Sequence, residues 1–308
     1  MNNFLKVASS PHKFTKDNTQ SIMLDVIIAL VPIGILAVVM YGLSAAVLIA
    51  VTVATCVLSE YIWCRILKKP NEANDLSAIV TGLLLAYSLP PKLPVWMAMI
   101  GGVIAIIVIK QMFGGIGHNF ANPAVCARIV LMVSFTQAMT SWYFPFTNAV
   151  SSATPLVQEA ANRPADLNLF LGNYQGCIGE TSALLILIGG LYLVLRRVIN
   201  PIIPLSFIGS AFVLTWIITG NFNSSVLAIL SGALLLGAVF MATDYVTSPT
   251  TNIGKLIFGI GCGFITVLIR QFGNMPEGVS FAILIMNLLV PAIEKIPDRR
   301  AFGEKEGK

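Results

Sequence analysis

The chain has 308 residues, of which 56% are hydrophobic and 11% charged, against about 25% charged in a soluble domain. Residues 129–158 and 198–243 carry no charge at all, which leaves too little surface for water and reads as an integral membrane protein. The net charge of +5 is accounted for by basic residues on the inner face of a membrane protein and calls for no nucleic-acid partner.

The apolar runs are long and continuous, whereas closed barrels alternate apolar and polar residues in short strands, so the expected fold is all-α. The polar, basic first 21 residues read as a retained inner segment rather than a cleaved signal peptide. Ten spans follow, at 22–41, 44–64, 77–87, 95–111, 123–139, 181–195, 202–219, 225–241, 255–270 and 279–293. The third is too short to cross about 30 Å of hydrocarbon at 1.5 Å per residue. It stops at Ser88-Leu89-Pro90-Pro91, and the eighth stops similarly near Asp244 and Ser248-Pro249. Interrupted helices are tolerated inside protein or beside a cavity.

With the N-terminus inside, 15 of the 19 Lys and Arg residues fall on the inner side and 3 (Lys92, Arg163, Arg270) on the outer, with Arg128 inside a span. Both termini are therefore expected on the cytoplasmic side of the membrane, and the long loop 140–180 outside. A shift of 160 residues superposes Ser88 on Ser248, Gly101 on Gly261, Lys110 on Arg270 and Gln111 on Gln271. Corresponding spans lie five apart, an odd number, so two inverted five-helix repeats are expected. The domains read as an inner segment 1–21, a first half 22–139, an outer loop 140–180, a second half 181–296 and an inner tail 297–308.

Charges near hydrocarbon are costly and mark candidate sites. Asp25 and Glu180 each open a helix, where capping is the favoured reading. Arg128 either snorkels or pairs inside the protein. The loop Gly114-Gly115-Ile116-Gly117-His118-Asn119-Phe120-Ala121-Asn122-Pro123 offers close backbone approach at Gly115 and polar ligands at His118, Asn119 and Asn122. It serves equally as a tight re-entrant turn capping the next helix. Asp244 with Thr247 and Ser248 could hold a cation or an isoalloxazine edge, or satisfy freed backbone groups. The cysteines Cys56, Cys64, Cys126, Cys177 and Cys262 form no C-x-x-C pair, so an iron–sulfur cluster held by this chain alone is not expected.

The outer loop carries Ser151-Ser152-Ala153-Thr154, which resembles the Ser/Thr-x-Ala-Thr target of bacterial flavin transferases. Thr154 is the acceptor hydroxyl in that frame and Ser152 a neighbour. Further segments are Asn122-Pro123-Ala124, Ser152-Ala153-Thr154-Pro155-Leu156, Gly179-Glu180-Thr181-Ser182-Ala183-Leu184, Ala242-Thr243-Asp244, Thr247-Ser248-Pro249 and Pro276-Glu277-Gly278 with Phe281-Ala282. On these the chain resembles, nearly end to end, the D subunit of the Rnf complex, the ion-translocating ferredoxin:NAD oxidoreductase. It is less similar to the B subunit of sodium-pumping NADH:quinone reductase, which has a longer N-terminal region. One departure is Asn148, where the family often carries an acid six residues before the threonine.

The resemblance implies a flavoprotein of the bacterial inner membrane that is a translocase subunit and not catalytic alone. FMN would be linked through its phosphate to Thr154, and a second, non-covalent flavin such as riboflavin would sit between the halves. Electrons would pass between ferredoxin and NAD with Na⁺ or H⁺ transport. The implied partners are the other Rnf membrane and peripheral flavin and iron–sulfur subunits, a flavin transferase and membrane lipid. The other readings are the quinone-reductase subunit, a channel or secondary transporter with no redox role, and a structural anchor.

Overall fold

A computed structural model describes residues 18–68, 75–146, 150–151, 170–172, 174–180, 182–273 and 277–296. Thr154 and Ser152 lie outside the described residues.

Helix α1 (Thr19–Tyr41) starts at a capping box, with Asn18 Oδ1 accepting from the Ser21 amide at 2.8 Å. It turns at Gly42, whose φ of +73° suits a residue without Cβ, into α2 (Leu43–Ile66). The half-length α3 (Ser77–Tyr87) ends before the Pro90-Pro91 pair, where the sequence predicts its stop. Helix α4 (Val95–Val103) widens into a π-helix over Ile104–Gln111. Helix α5 (Pro123–Ser134) is capped by Asn122, with Pro123 at its first position, and breaks at Phe135 before the short α6 (Thr136–Met139). Two-residue strands β1 (Trp142–Tyr143) and β2 (Val150–Ser151) pair antiparallel. A 3₁₀ turn (Ile178–Glu180) then leads to α7 (Ala183–Leu195), α8 (Ile202–Thr219), α9 (Phe222–Leu230) and α10 (Leu234–Leu236). The last of these continues as a π-helix over Gly237–Met241 before α11 (Asn252–Phe272) and α12 (Gly278–Ile293).

The chain is a multi-pass helical membrane protein. Among the described residues four helices, α1, α2, α8 and α11, are long and apolar enough to cross a membrane, and α9 with α10 and its π-helix, bent by 63°, makes a fifth if the pair is taken as one span. Segments 77–87, 95–111, 123–134, 183–195 and 278–293 are apolar but shorter. Burial is reversed relative to a water-soluble protein. Leu205 and Ile217 are 68% and 71% exposed, while Glu60, Lys110, Arg128 and Glu180 are buried. Apolar side chains have no reason to leave a lipid solvent, and charges must find partners inside.

Within the first half, α2 packs on α3 and α4; within the second, α8 packs on α9 and α11. The halves meet where α1 lies on α7 and α5 on α12. Four expectations change. The eighth span is two helices, broken at residues 231–233 by a Ser-Gly-Ala sequence, and the fifth is broken at Phe135. Asp25 lies inside α1, where its carboxylate accepts from Tyr192 Oη at 2.8 Å and Arg196 Nη2 at 3.1 Å, tying α1 to α7 rather than capping. Glu180 closes the 3₁₀ turn, and Ser182 caps α7.

Candidate functional site

A cavity of about 380 Å³ opens between the halves, near the start of α1 and α3 and the end of α7. This size falls within the range of small-molecule sites. Its walls are mostly apolar, with Lys110, Asn119, Asn122, Thr243 and Asp244 as polar points. Asn122 is fixed three ways: Oδ1 accepts from the Ala124 and Val125 amides at 3.0 and 3.3 Å, and Nδ2 donates to the Met241 carbonyl at 3.1 Å. It thus caps α5 and holds the end of the second-half π-helix. Asn119 Oδ1 is buried and meets no hydrogen-bond partner among the described residues, so one acceptor is left for a guest. Asp244 Oδ2 accepts from Thr247 Oγ1 at 3.1 Å. Burial raises the Asp244 carboxyl above the ordinary aspartate range, opposed by the Thr247 hydroxyl and the Lys110 charge. Tyr245 Oη donates to the Val198 carbonyl beside the cavity.

Lys110 is 2% exposed, so it does not belong to the exposed inner band of cations that its position after an apolar run suggests. Its ammonium lies 2.6 Å from Glu60 Oε1 and 2.5 Å from Ser77 Oγ, and Gln111 Nε2 donates to the same Glu60 oxygen at 2.8 Å. The wide π-turn brings both Lys110 and Gln111 inward. Of the other residues singled out from sequence, Gly115 is buried, His118 exposed, Thr247 buried and Ser248 half-buried; none of the four lines the cavity.

A second polar group lies at the opposite end of α1 and α3. Arg128 pairs with Glu277, which precedes α12, and its Nη2 lies 3.5 Å from Cys177 Sγ. Cys177 donates to the Ser88 carbonyl at 3.3 Å, and Ile178 N to the Leu89 carbonyl at 3.0 Å. The returning end of the long loop is thereby fastened to the end of α3. Tyr174 Oη donates to the Glu180 carbonyl at 2.8 Å, with the Leu230 carbonyl 3.2 Å away, and Arg270 reaches the Ala228 and Ser231 carbonyls at the break after α9. Burial, followed by the nearby Glu180 carboxyl, raises the Cys177 thiol; burial raises the Glu180 carboxyl against the pull of Arg128. Glycine is required at position 179, where a Cβ would stand 2.6 Å from Tyr87 Cβ and 2.9 Å from the Tyr87 carbonyl. Sequence alone marks Glu277 only as part of a Pro-Glu-Gly turn, and its pairing with Arg128 spans 149 residues.

The profile of the NQR2, RnfD, RnfE family matches residues 6–303. The chain is 44% identical to the D subunit of the Na(+)-translocating ferredoxin:NAD(+) oxidoreductase complex of Acetobacterium woodii, over 99% of this chain and 98% of that one. It is 39% identical to the D subunit of the proton-translocating ferredoxin:NAD(+) oxidoreductase complex of Clostridium ljungdahlii, over 98% and 97%. It is 38% identical to the D subunit of the ion-translocating oxidoreductase complex of Stutzerimonas stutzeri, over 94% and 93%. With a profile match across almost its whole length and near-complete coverage of these relatives, the chain belongs to the NQR2, RnfD, RnfE family.

Proposed function

We propose that the chain is the D-type membrane component of an ion-translocating ferredoxin:NAD oxidoreductase, carrying FMN covalently on Thr154. The observation that carries this reading is the Ser-Ser-Ala-Thr sequence in the long loop of a chain that aligns end to end with the D subunits of two such complexes. Pro155 biases Thr154 toward an extended backbone and removes one amide donor, which would present the hydroxyl. The stretch from residue 129 to 158 carries no acid to repel a phosphate, the first being Glu159, five residues beyond Thr154.

The cavity between the halves fits a second, non-covalent flavin such as riboflavin. Its apolar walls suit a flat ring, and Asn119 Oδ1 offers an acceptor without a partner. Asn122 and Asp244 would orient the ring edge, and Lys110 would place a positive charge beside it. A bound flavin supplies one-electron transfer, and the protein supplies position and electrostatics. Residues of this chain would exclude water with the apolar faces of α1, α3 and α7. The recurring neighbour pattern of α2–α4 and α8–α11 supports ten spans as two repeats, and the bias of Lys and Arg supports inverted halves with both termini cytoplasmic and the Thr154 loop outside. Other subunits of the complex and a flavin transferase are the partners this reading requires. The names of the relatives differ in the ion moved, so identity along the chain does not assign Na⁺ or H⁺.

Mass spectrometry of the peptide 150–163 should show FMN on Thr154. The Thr154→Ala protein should insert normally, yet lose fluorescence that survives denaturation on a gel and lose electron transfer within the complex. Covalent flavin retained in that variant would end the assignment.

A further inference from the structure

We propose that Glu180 is a proton-carrying carboxyl, which takes up and releases a proton at the loop end of the seam between the two halves. Three observations carry this. First, the thiol of Cys177 and one carboxyl oxygen each of Glu180 and Glu277 lie within 4.8 Å of one another, all buried. Two carboxylates this close are not both charged in an apolar setting unless each is compensated. Second, compensation is unequal. Arg128 pairs with Glu277, and Arg270 directs its donors to the Ala228 and Ser231 carbonyls. Glu180 forms no ion pair among the described residues; it is 4% exposed, and its Oε1 meets no partner. Third, the surroundings can respond. Arg128 Nε and Nη1 and the Tyr41 hydroxyl are likewise buried without partners.

The groups facing Glu180 are Tyr41 from α1, Arg128 from α5, Tyr174 and Cys177 from the loop, Arg270 from α11 and Glu277 before α12. Uptake converts the carboxylate and one proton into a neutral carboxyl. Release returns the proton toward the loop side, and no electron moves. The charge change falls on a cluster bonded to the end of α3 through Cys177 and to the break after α9 through Tyr174 and Arg270, so both interrupted helices feel it. A thiol with two carboxyls is also a donor set for a divalent metal. The Arg128 guanidinium already supplies the positive charge there, which favours the proton.

Infrared difference spectra of the intact complex in lipid, recorded against pH, test the site. The wild type should show a buried protonated-carboxyl band that Glu180→Gln removes and Glu180→Asp displaces. Glu277→Gln frees the Arg128 guanidinium to neutralise Glu180 and should lower the midpoint of the band by about 1–3 pH units. The Thr154→Ala complex should keep the band, because the site needs no flavin. An unchanged band in Glu180→Gln overturns the proposal. If that variant does not assemble, an unchanged band in Glu180→Asp does so. Loss of the band on adding cadmium to wild type but not to Cys177→Ser would identify a metal site instead, and overturns it equally.

Discussion

Replacing Glu60 by glutamine leaves the Lys110 ammonium buried without its counter-charge. The carboxylate now accepts from Lys110 at 2.6 Å and from Gln111 at 2.8 Å, with the two charged side chains 2% and 0% exposed. Removing one partner of such a pair costs about 3–5 kcal/mol, whereas replacing both by apolar groups is close to neutral. At about 1.4 kcal/mol per decade, the single change should raise local opening by roughly 10²- to 10³-fold or more. Cys56 reports it directly. It is 0% exposed, one turn before Glu60 on α2, with Sγ 3.9 Å from the Gly102 carbonyl. In a background retaining Cys56 alone, its alkylation in Glu60→Gln should accelerate by that factor. A background retaining only Cys262, buried in the second half, should change far less. The double variant Glu60→Gln, Lys110→Met should restore most of the protection. Equal Cys56 rates in wild type and Glu60→Gln would refute the reasoning, because no unpaired buried charge could then have been created.

Gly179→Ala should destabilise the protein by about 1–3 kcal/mol through overpacking, seen as a lower thermal midpoint in detergent, since the new Cβ meets Tyr87 at 2.6 Å. Asp244→Asn should assemble yet impair ion-coupled turnover in vesicles, and pumping at the wild-type rate would make this residue structural only. Asn119→Leu removes the cavity's unpartnered acceptor and should lower the riboflavin recovered from purified protein while leaving FMN on Thr154. A cysteine at position 158 should react with an impermeant thiol reagent added outside intact cells; reaction only after permeabilisation would reverse the orientation.

What sequence could and could not reveal follows from the range of each signal. The short third helix was legible because Pro90 and Pro91 cannot continue it, and Asn122-Pro123 is a local cap visible in two letters. The break after α9 was not legible, since Ser231-Gly232-Ala233 within an apolar run is also compatible with a continuous helix. Lys110 looked like an inner-face cation because its partner Glu60 lies 50 residues upstream. Glu180 looked like a cap because charge at a helix start is a local pattern, while its neighbour Glu277 arrives from the far end of the chain. Local chemistry names the candidates, and only the packing of α1 on α7 and α5 on α12 decides which of them meet.

Those two contact lines have a mechanical consequence. Each half is bound more broadly within itself than to the other, and one apolar core runs through both; a rigid tilt of one half on the other would therefore pivot about the apolar middle of the seam. The cavity lies toward one end of that pivot and the Arg128–Glu277 group toward the other, Arg128 standing six residues along α5 from the cavity-lining Asn122. A tilt that widens one end must narrow the other, like the two jaws of a clothes peg. A tether placed across either end should therefore immobilise both, and a ligand seated in the cavity would be sensed among charges it never touches.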